Sequence, residues 1–130
     1  MNVSTVMIRQ DILSLEELVP KLGYVIVFVS DMDRAVKFYR DTVGLTLKFS
    51  SPHWSEFVTG ETTLALHPEL AGSPAGAVHL GFNVPKLETF YHEMTDKGVK
   101  FSQPPTKQDF GGMLATFEDS EGAVCTVSGS

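Results

Sequence analysis

The chain has 130 residues, with ten Lys and Arg against sixteen Asp and Glu, a formal charge of −6. That length predicts one domain able to bury an ordinary core. The acid excess disfavours nucleic-acid binding, which rests on Lys and Arg neutralising phosphates. A single cysteine, Cys125, excludes an internal disulfide and a Cys-rich zinc site. No apolar run reaches the ~18–20 residues of a membrane span, and no basic start leads into a long apolar stretch. A soluble, cytoplasmic domain is therefore expected. Most of the excess acid comes from Asp109, Glu118, Asp119 and Glu121, which have no base after Lys107 to offset them. It bears on solubility rather than on fold.

In chain order, Ser14-Leu15-Glu16-Glu17 fits a capping box, with Leu15, Leu18, Val19 and Leu22 on one side. It predicts a short amphipathic helix ending near Pro20, within an N-terminal extension of residues 1–22. Tyr24–Val29 is β-branched and aromatic, as a buried strand is. Ser30-Asp31 then offers a helix N-cap. Met32, Ala35, Val36, Tyr39 and Val43 follow at helical spacing, and Gly44 supplies the stop. Strands are expected at 45–50, 54–59 and 62–67, the last two joined at Thr59-Gly60-Glu61. Residues 68–77, rich in Pro, Gly and small side chains, read as a linker.

Beyond the linker, a strand at 78–83 leads to Pro85 and to Leu87, Phe90, Tyr91 and Met94 on one helical face, with Gly98 ending the helix. Strands at 99–102, 113–118 and 123–128 complete the chain, the last two separated by Asp119-Ser120-Glu121-Gly122. Phe110-Gly111-Gly112 is either a hairpin turn or a flexible lid. Both halves carry a Phe-Tyr pair in the helix, then a glycine and a Lys-Phe-Ser strand. The repeat predicts an α+β fold of two tandem βαβββ modules forming a curved mixed sheet around a cavity. Module one spans 23–67 and module two 78–130, together a single domain, 23–130.

The string from Val29 to Leu45, Val-Ser-Asp-Met-Asp-Arg-Ala-Val-Lys-Phe-Tyr-Arg-Asp-Thr-Val-Gly-Leu, resembles the first strand-to-helix passage of the vicinal oxygen chelate superfamily. That superfamily includes glyoxalase I, extradiol dioxygenases and bleomycin-resistance proteins. The closing Phe117–Gly122 resembles its Asp-Pro-(Asp/Glu)-Gly turn, with Ser120 where proline is usual. The resemblance covers residues 22–128 and implies, in members with metal chemistry, four ligands on the first and last strands of the two modules. Those positions fall on Tyr24, Ala65, His79 and Thr126, and only His79 matches the usual ligand type.

Strand alternation puts Tyr24, Ile26 and Phe28 on one side, the expected cavity side, and His67 on the same side as Ala65. The candidate ligand-binding residues are Tyr24, Phe28, Trp54, His67, His79 and Thr126. Trp54 either stacks on a ligand or packs in the core. His67 and His79 are the only candidates for a metal, joined by Glu56 or Glu118 if either faces inward. Cys125, in an apolar strand, reads as a buried inert thiol. His53 and His92 read as surface residues.

Two functions stay open. The first is a glyoxalase/bleomycin-resistance-like protein that binds a small organic molecule between its modules, with no cofactor and without the full metal site. The alternative is a metal-dependent lyase or isomerase of glyoxalase I type, using His79 and possibly His67 to hold a divalent ion. Either way, the expected partners are a small-molecule ligand and a second copy of the chain in a homodimer, with neither nucleic acid nor membrane. The modules pair within one chain or are exchanged between two.

Overall fold

The computed structural model describes residues 19–109 and 111–130. The capping-box segment and its expected helix lie almost wholly outside them. Strand β1 begins at Lys21 and runs to Val29. Helix α1 (Met32–Lys37) follows, then β2 (Thr46–Ser50), β3 (Ser55–Val58) and β4 (Thr63–Pro68). The second module repeats the order with β5 (Val78–Asn83), α2 (Leu87–Asp96), β6 (Phe101–Lys107), β7 (Met113–Glu118) and β8 (Val124–Gly129). Among the described residues these strands form one mixed eight-stranded sheet in the order β2-β3-β4-β1-β5-β8-β7-β6. The α+β fold of paired βαβββ modules is the one expected.

β1 lies parallel to β4 and antiparallel to β5, and β5 lies parallel to β8. Direct pairing of β1 with β5 joins the two modules within one chain. The 68–77 linker returns beside β1, where Gly76 N–H donates to the Phe28 carbonyl at 2.8 Å and Phe28 N–H to that of Ala77 at 2.9 Å.

Each helix covers one face of its own module. Val36 of α1 is buried with Phe57 and Leu66 of the sheet, and Val27, Val29 and Tyr39 pack around them. Leu87 of α2 is buried with Ala115 and Val127, flanked by Phe82, Phe90, Phe101 and Phe117. The two layers are separate clusters, so the modules share a sheet and not a helix-side core. A third cluster, Ile26, Phe28 and Ala65, lies on the opposite face beside Tyr24 and Trp54.

Three local expectations are corrected. The first helix is α-helical only to Lys37; residues Phe38–Thr42 form a π-helical turn, and Val43 N–H bonds to the Phe38 carbonyl five residues back. The longer ring turns the chain by about one extra residue. Met32, Ala35, Val36 and Tyr39 stay on the packed face while Val43 swings out, about half exposed. Gly44 follows at φ +91°, a left-handed position that favours glycine.

Second, the matching Phe-Tyr pairs are not equivalent positions. Phe38 stands one helical turn further from its N-cap, Asp31, than Phe90 does from Lys86. Phe38 and Phe49 are exposed, whereas Phe90 and Phe101 pack into their module. The repeat holds in element order and not in those strings. Third, β6 continues past Ser102 through Pro104-Pro105 to Lys107. It is the outer strand of the sheet, where a missing N–H leaves no partner unsatisfied.

Candidate ligand cavity

The face opposite the helices encloses a cavity of about 720 Å³, a size typical of small-molecule sites. Alternation along each strand decides what it contains. β1 turns Tyr24, Ile26 and Phe28 inward, and β4 turns His67 inward. β3 contributes Glu56, and Trp54 stands just before it. From module two come His79 and Asn83 on β5, Leu114 and Thr116 on β7, and Val124, Thr126 and Ser128 on β8. All six candidate binding residues therefore line one space. Glu56 faces inward because β3 pairs with β4 in a register that sets it opposite Ala65. Glu118 is exposed and does not line the cavity, and neither do Gly111 and Gly112. Phe110 lies outside the described residues. Gly111 sits in the tight turn from β6 to β7, its N–H donating to the Gln108 carbonyl at 3.0 Å.

The module-one wall is aromatic. Tyr24 and Trp54 meet edge to face with centroids 6.0 Å apart, and Trp54 meets His67 edge to face at 6.2 Å. Trp54 Nε1–H donates to Glu56 Oε2 at 2.7 Å, a short charge-assisted bond that fixes both side chains. The Trp54 turn is held by Ser51, whose hydroxyl accepts from the Trp54 N–H at 3.1 Å. Burial pushes the Tyr24 phenol above its usual range, and the Glu56 carboxylate adds to the effect, so Tyr24 stays protonated at neutral pH.

The two histidines flank Phe28. His79 lies 4.3 Å and His67 5.1 Å from its ring, centroid to centroid. His67 Nδ1–H donates to the Pro68 carbonyl at 2.6 Å. His79 Nε2 hydrogen-bonds the buried Ser73 hydroxyl of the linker at 3.2 Å. Burial pulls the His79 pKa below its ordinary value, and the neighbouring His67 lowers it further. Both effects favour the neutral ring.

Module two supplies a different surface. Thr116 and Thr126 pair across β7 and β8, and Thr126 pairs with Gly81 of β5, which in turn faces Tyr24 of β1. A Cβ at position 81 would meet the Tyr24 Cβ at 3.0 Å and the Thr126 hydroxyl at 3.3 Å. Glycine there keeps the cavity floor open between the phenol and the hydroxyls. Ser128 donates to Asn83 Oδ1 at 2.7 Å.

A family model, the Glyoxalase/Bleomycin resistance protein/Dioxygenase superfamily, matches residues 21–125. The chain belongs to that superfamily. It is 26% identical to the uncharacterized protein YetH of Bacillus subtilis (strain 168) over 116 residues, which cover 82% of this chain and 96% of YetH. Among solved structures it is similar to methylmalonyl-CoA epimerase in complex with methylmalonyl-CoA and NH4+. There the TM-score is 0.72 at 18% identity, covering 86% of this chain and 95% of the epimerase. A second similar structure is the NAD-dependent benzaldehyde dehydrogenase from Legionella pneumophila, with a TM-score of 0.69 at 23% identity over 82% and 96% of the two chains. At these identities the likeness carries the fold and not the activities.

The superfamily's metal site can be tested against the side chains present. Ala65 is buried and has no donor atom, Thr126 offers a neutral hydroxyl, and Tyr24 a phenol held protonated. His79 alone is an ordinary ligand type, its Nε2 engaged by Ser73. Phe28 stands between His79 and His67. Among the described residues no three His, Cys, Asp or Glu side chains converge to hold an ion. This donor set does not fit a divalent cation, which needs several His or carboxylate ligands around an open position.

Two residues outside the cavity behave as expected. Cys125 is buried, and burial with Asp119 nearby pushes its thiol pKa up, away from the reactive thiolate. Asp119 Oδ1 accepts from the N–H groups of Glu121 and Ala123, both at 2.8 Å, and so builds the turn before β8.

Proposed function

We propose that this protein binds a small organic molecule in the cavity between its modules and does so without the superfamily's metal. The observation that carries the reading is the pairing of an aromatic wall, Tyr24, Phe28 and Trp54, with a hydroxyl wall, Thr116, Thr126 and Ser128, around a space of ligand size. Rings supply apolar area and stacking, and hydroxyls fix orientation. Recognition of this kind needs shape and hydrogen bonds and no ion. Among the described residues no helix is long and apolar enough to cross a membrane. A cytoplasmic homodimer is the form in which the protein is proposed to act.

Trp54, the single tryptophan, reports on the cavity directly. A fluorescence screen of small aromatic compounds is expected to yield saturable quenching in the wild type. Thr126→Phe, which projects a ring into the cavity from β8, is expected to abolish it while circular dichroism stays unchanged. Absence of any saturable ligand, or equal binding by Thr126→Phe, overturns the reading. Elemental analysis of protein purified without chelator separates it from the metal-dependent lyase or isomerase. Stoichiometric nickel, zinc, manganese or iron that disappears in His79→Ala would establish the latter. Sedimentation tests the dimer.

A further inference from the structure

The charge inside the cavity is more specific than its size. Among the described residues Glu56 is the one carboxylate that lines it, and no Lys or Arg lines it at all. One Glu56 oxygen accepts from Trp54, and among the described side chains no cation pairs with the carboxylate. The carboxylate therefore stands beside two aromatic rings, Trp54 and Tyr24, with its negative charge uncompensated. The faces of those rings carry the negative lobes of their quadrupoles, so both features attract the same sign of charge. An anion brought to this wall meets a fixed negative charge and no Lys or Arg to offset it; an organic cation meets complementary charge and apolar area together.

We infer that the cavity selects an organic cation, an ammonium group joined to an apolar or aromatic body. Its charged head sits at Glu56 between Trp54 and Tyr24, and its polar end meets the Thr116 and Thr126 hydroxyls. This rests on the small-molecule reading above and narrows it to one chemical class. It also separates this chain from the similar epimerase bound to an acidic thioester, since among the described residues a carboxylate ligand finds no Lys or Arg in the cavity.

The test uses three phenols of similar shape: 4-(trimethylammonio)phenol, its uncharged isostere 4-tert-butylphenol, and 4-hydroxybenzoate. Each is titrated into the full chain by calorimetry at moderate salt, beside Glu56→Gln. Glutamine still offers an oxygen to Trp54 Nε1, so the wall keeps its shape and an unchanged melting temperature checks this. The cation is expected to bind about tenfold or more tightly than the isostere, and the benzoate most weakly. In Glu56→Gln the cation's advantage is expected to shrink severalfold while the isostere's affinity holds. Equal binding of cation and isostere, or a preference that survives Glu56→Gln, overturns the inference and leaves the small-molecule reading standing. Failure of all three to bind overturns the inference, and the fluorescence screen then decides the broader reading.

Discussion

The two modules place the same strands on the same side of the sheet, yet equivalent strands carry different chemistry. β1 presents Tyr24, Ile26 and Phe28, while its counterpart β5 presents His79, Gly81 and Asn83. Trp54 and Glu56 at the start of module one's β3 answer to Leu114 and Thr116 on β7. His67 ends β4, where β8 ends in Thr126 and Ser128. One module has become a wall of rings with a carboxylate, the other a wall of small hydroxyls. A duplicated scaffold fixes where side chains point, because pairing register and alternation are backbone properties. It leaves their identity free, and here the freedom has produced a polarised cavity rather than a symmetric ligand cage.

The largest expected effects test whether this division of labour extends to folding. Phe57 in module one and Leu87 in module two are both fully buried, Phe57 on β3 beneath α1 and Leu87 on α2 itself. Phe57→Ala is expected to cost about 3–5 kcal/mol and Leu87→Ala about 2–5 kcal/mol. The continuous sheet through β1 and β5 couples the modules, so both variants are expected to unfold in one urea transition seen alike by Trp54 fluorescence and far-ultraviolet circular dichroism. Trp54 reports only on module one. A fluorescence midpoint that moves in Phe57→Ala but not in Leu87→Ala would show the modules to be independent units.

Much of this division is legible in the amino-acid sequence. Alternation groups Tyr24, Ile26 and Phe28 on one face of β1 and His67 with Ala65 on one face of β4, because both strands are long enough to show the period of two; the register Ile26 to Ala65 and Phe28 to His67 makes those faces one. Asp31 reads as an N-cap, and its carboxylate does accept from the Arg34 N–H at 3.0 Å. The π-helical turn is not legible, since i→i+5 bonding leaves no mark in a 3.6-residue pattern, and that pattern therefore assigns Val43 to the wrong face. Pro104-Pro105 cuts β6 short in the sequence, because proline is tolerated only at an edge and edge position is a property of topology. Glu56 lies in a four-residue strand whose inward side is set only by its register against Ala65. Asn83, Thr116 and Ser128 escape notice because small polar side chains on a strand give no local sign of facing a cavity. The alternation of β8 through Val124, Thr126 and Ser128 is the signal that could have found the last of them.

A smaller effect ranks the two walls against each other. Trp54→Ala removes a ring that supplies apolar area and stacking, and is expected to weaken a ligand found by the screen about tenfold or more. Thr126→Val keeps the shape and deletes one hydroxyl, so a few-fold loss is expected, in line with a single neutral hydrogen bond. Calorimetry measures both, since the first variant lacks the fluorophore. The reverse ranking would make the hydroxyl wall the principal recognition surface.

The smallest effect concerns the seam between the walls, where His79 of module two packs against Phe28 of module one. Its pKa in the folded chain lies below the ordinary value near 6.5, first through burial and then through His67. The unfolded chain therefore takes up a proton at a higher pH than the folded chain does. Stability from the neutral ring is fully present above about pH 6.5 and declines as pH falls through the interval down to the folded pKa. Melting temperatures measured between pH 7.5 and 5 are expected to fall for the wild type. His79→Asn cannot take up that proton and is expected to show a shallower decline, even though it starts lower at pH 7.5 for want of ring packing against Phe28. Parallel pH profiles would mean that other groups set the acid sensitivity. The seam would then be held by packing alone, with the charge state of His79 adding nothing to the join between the modules.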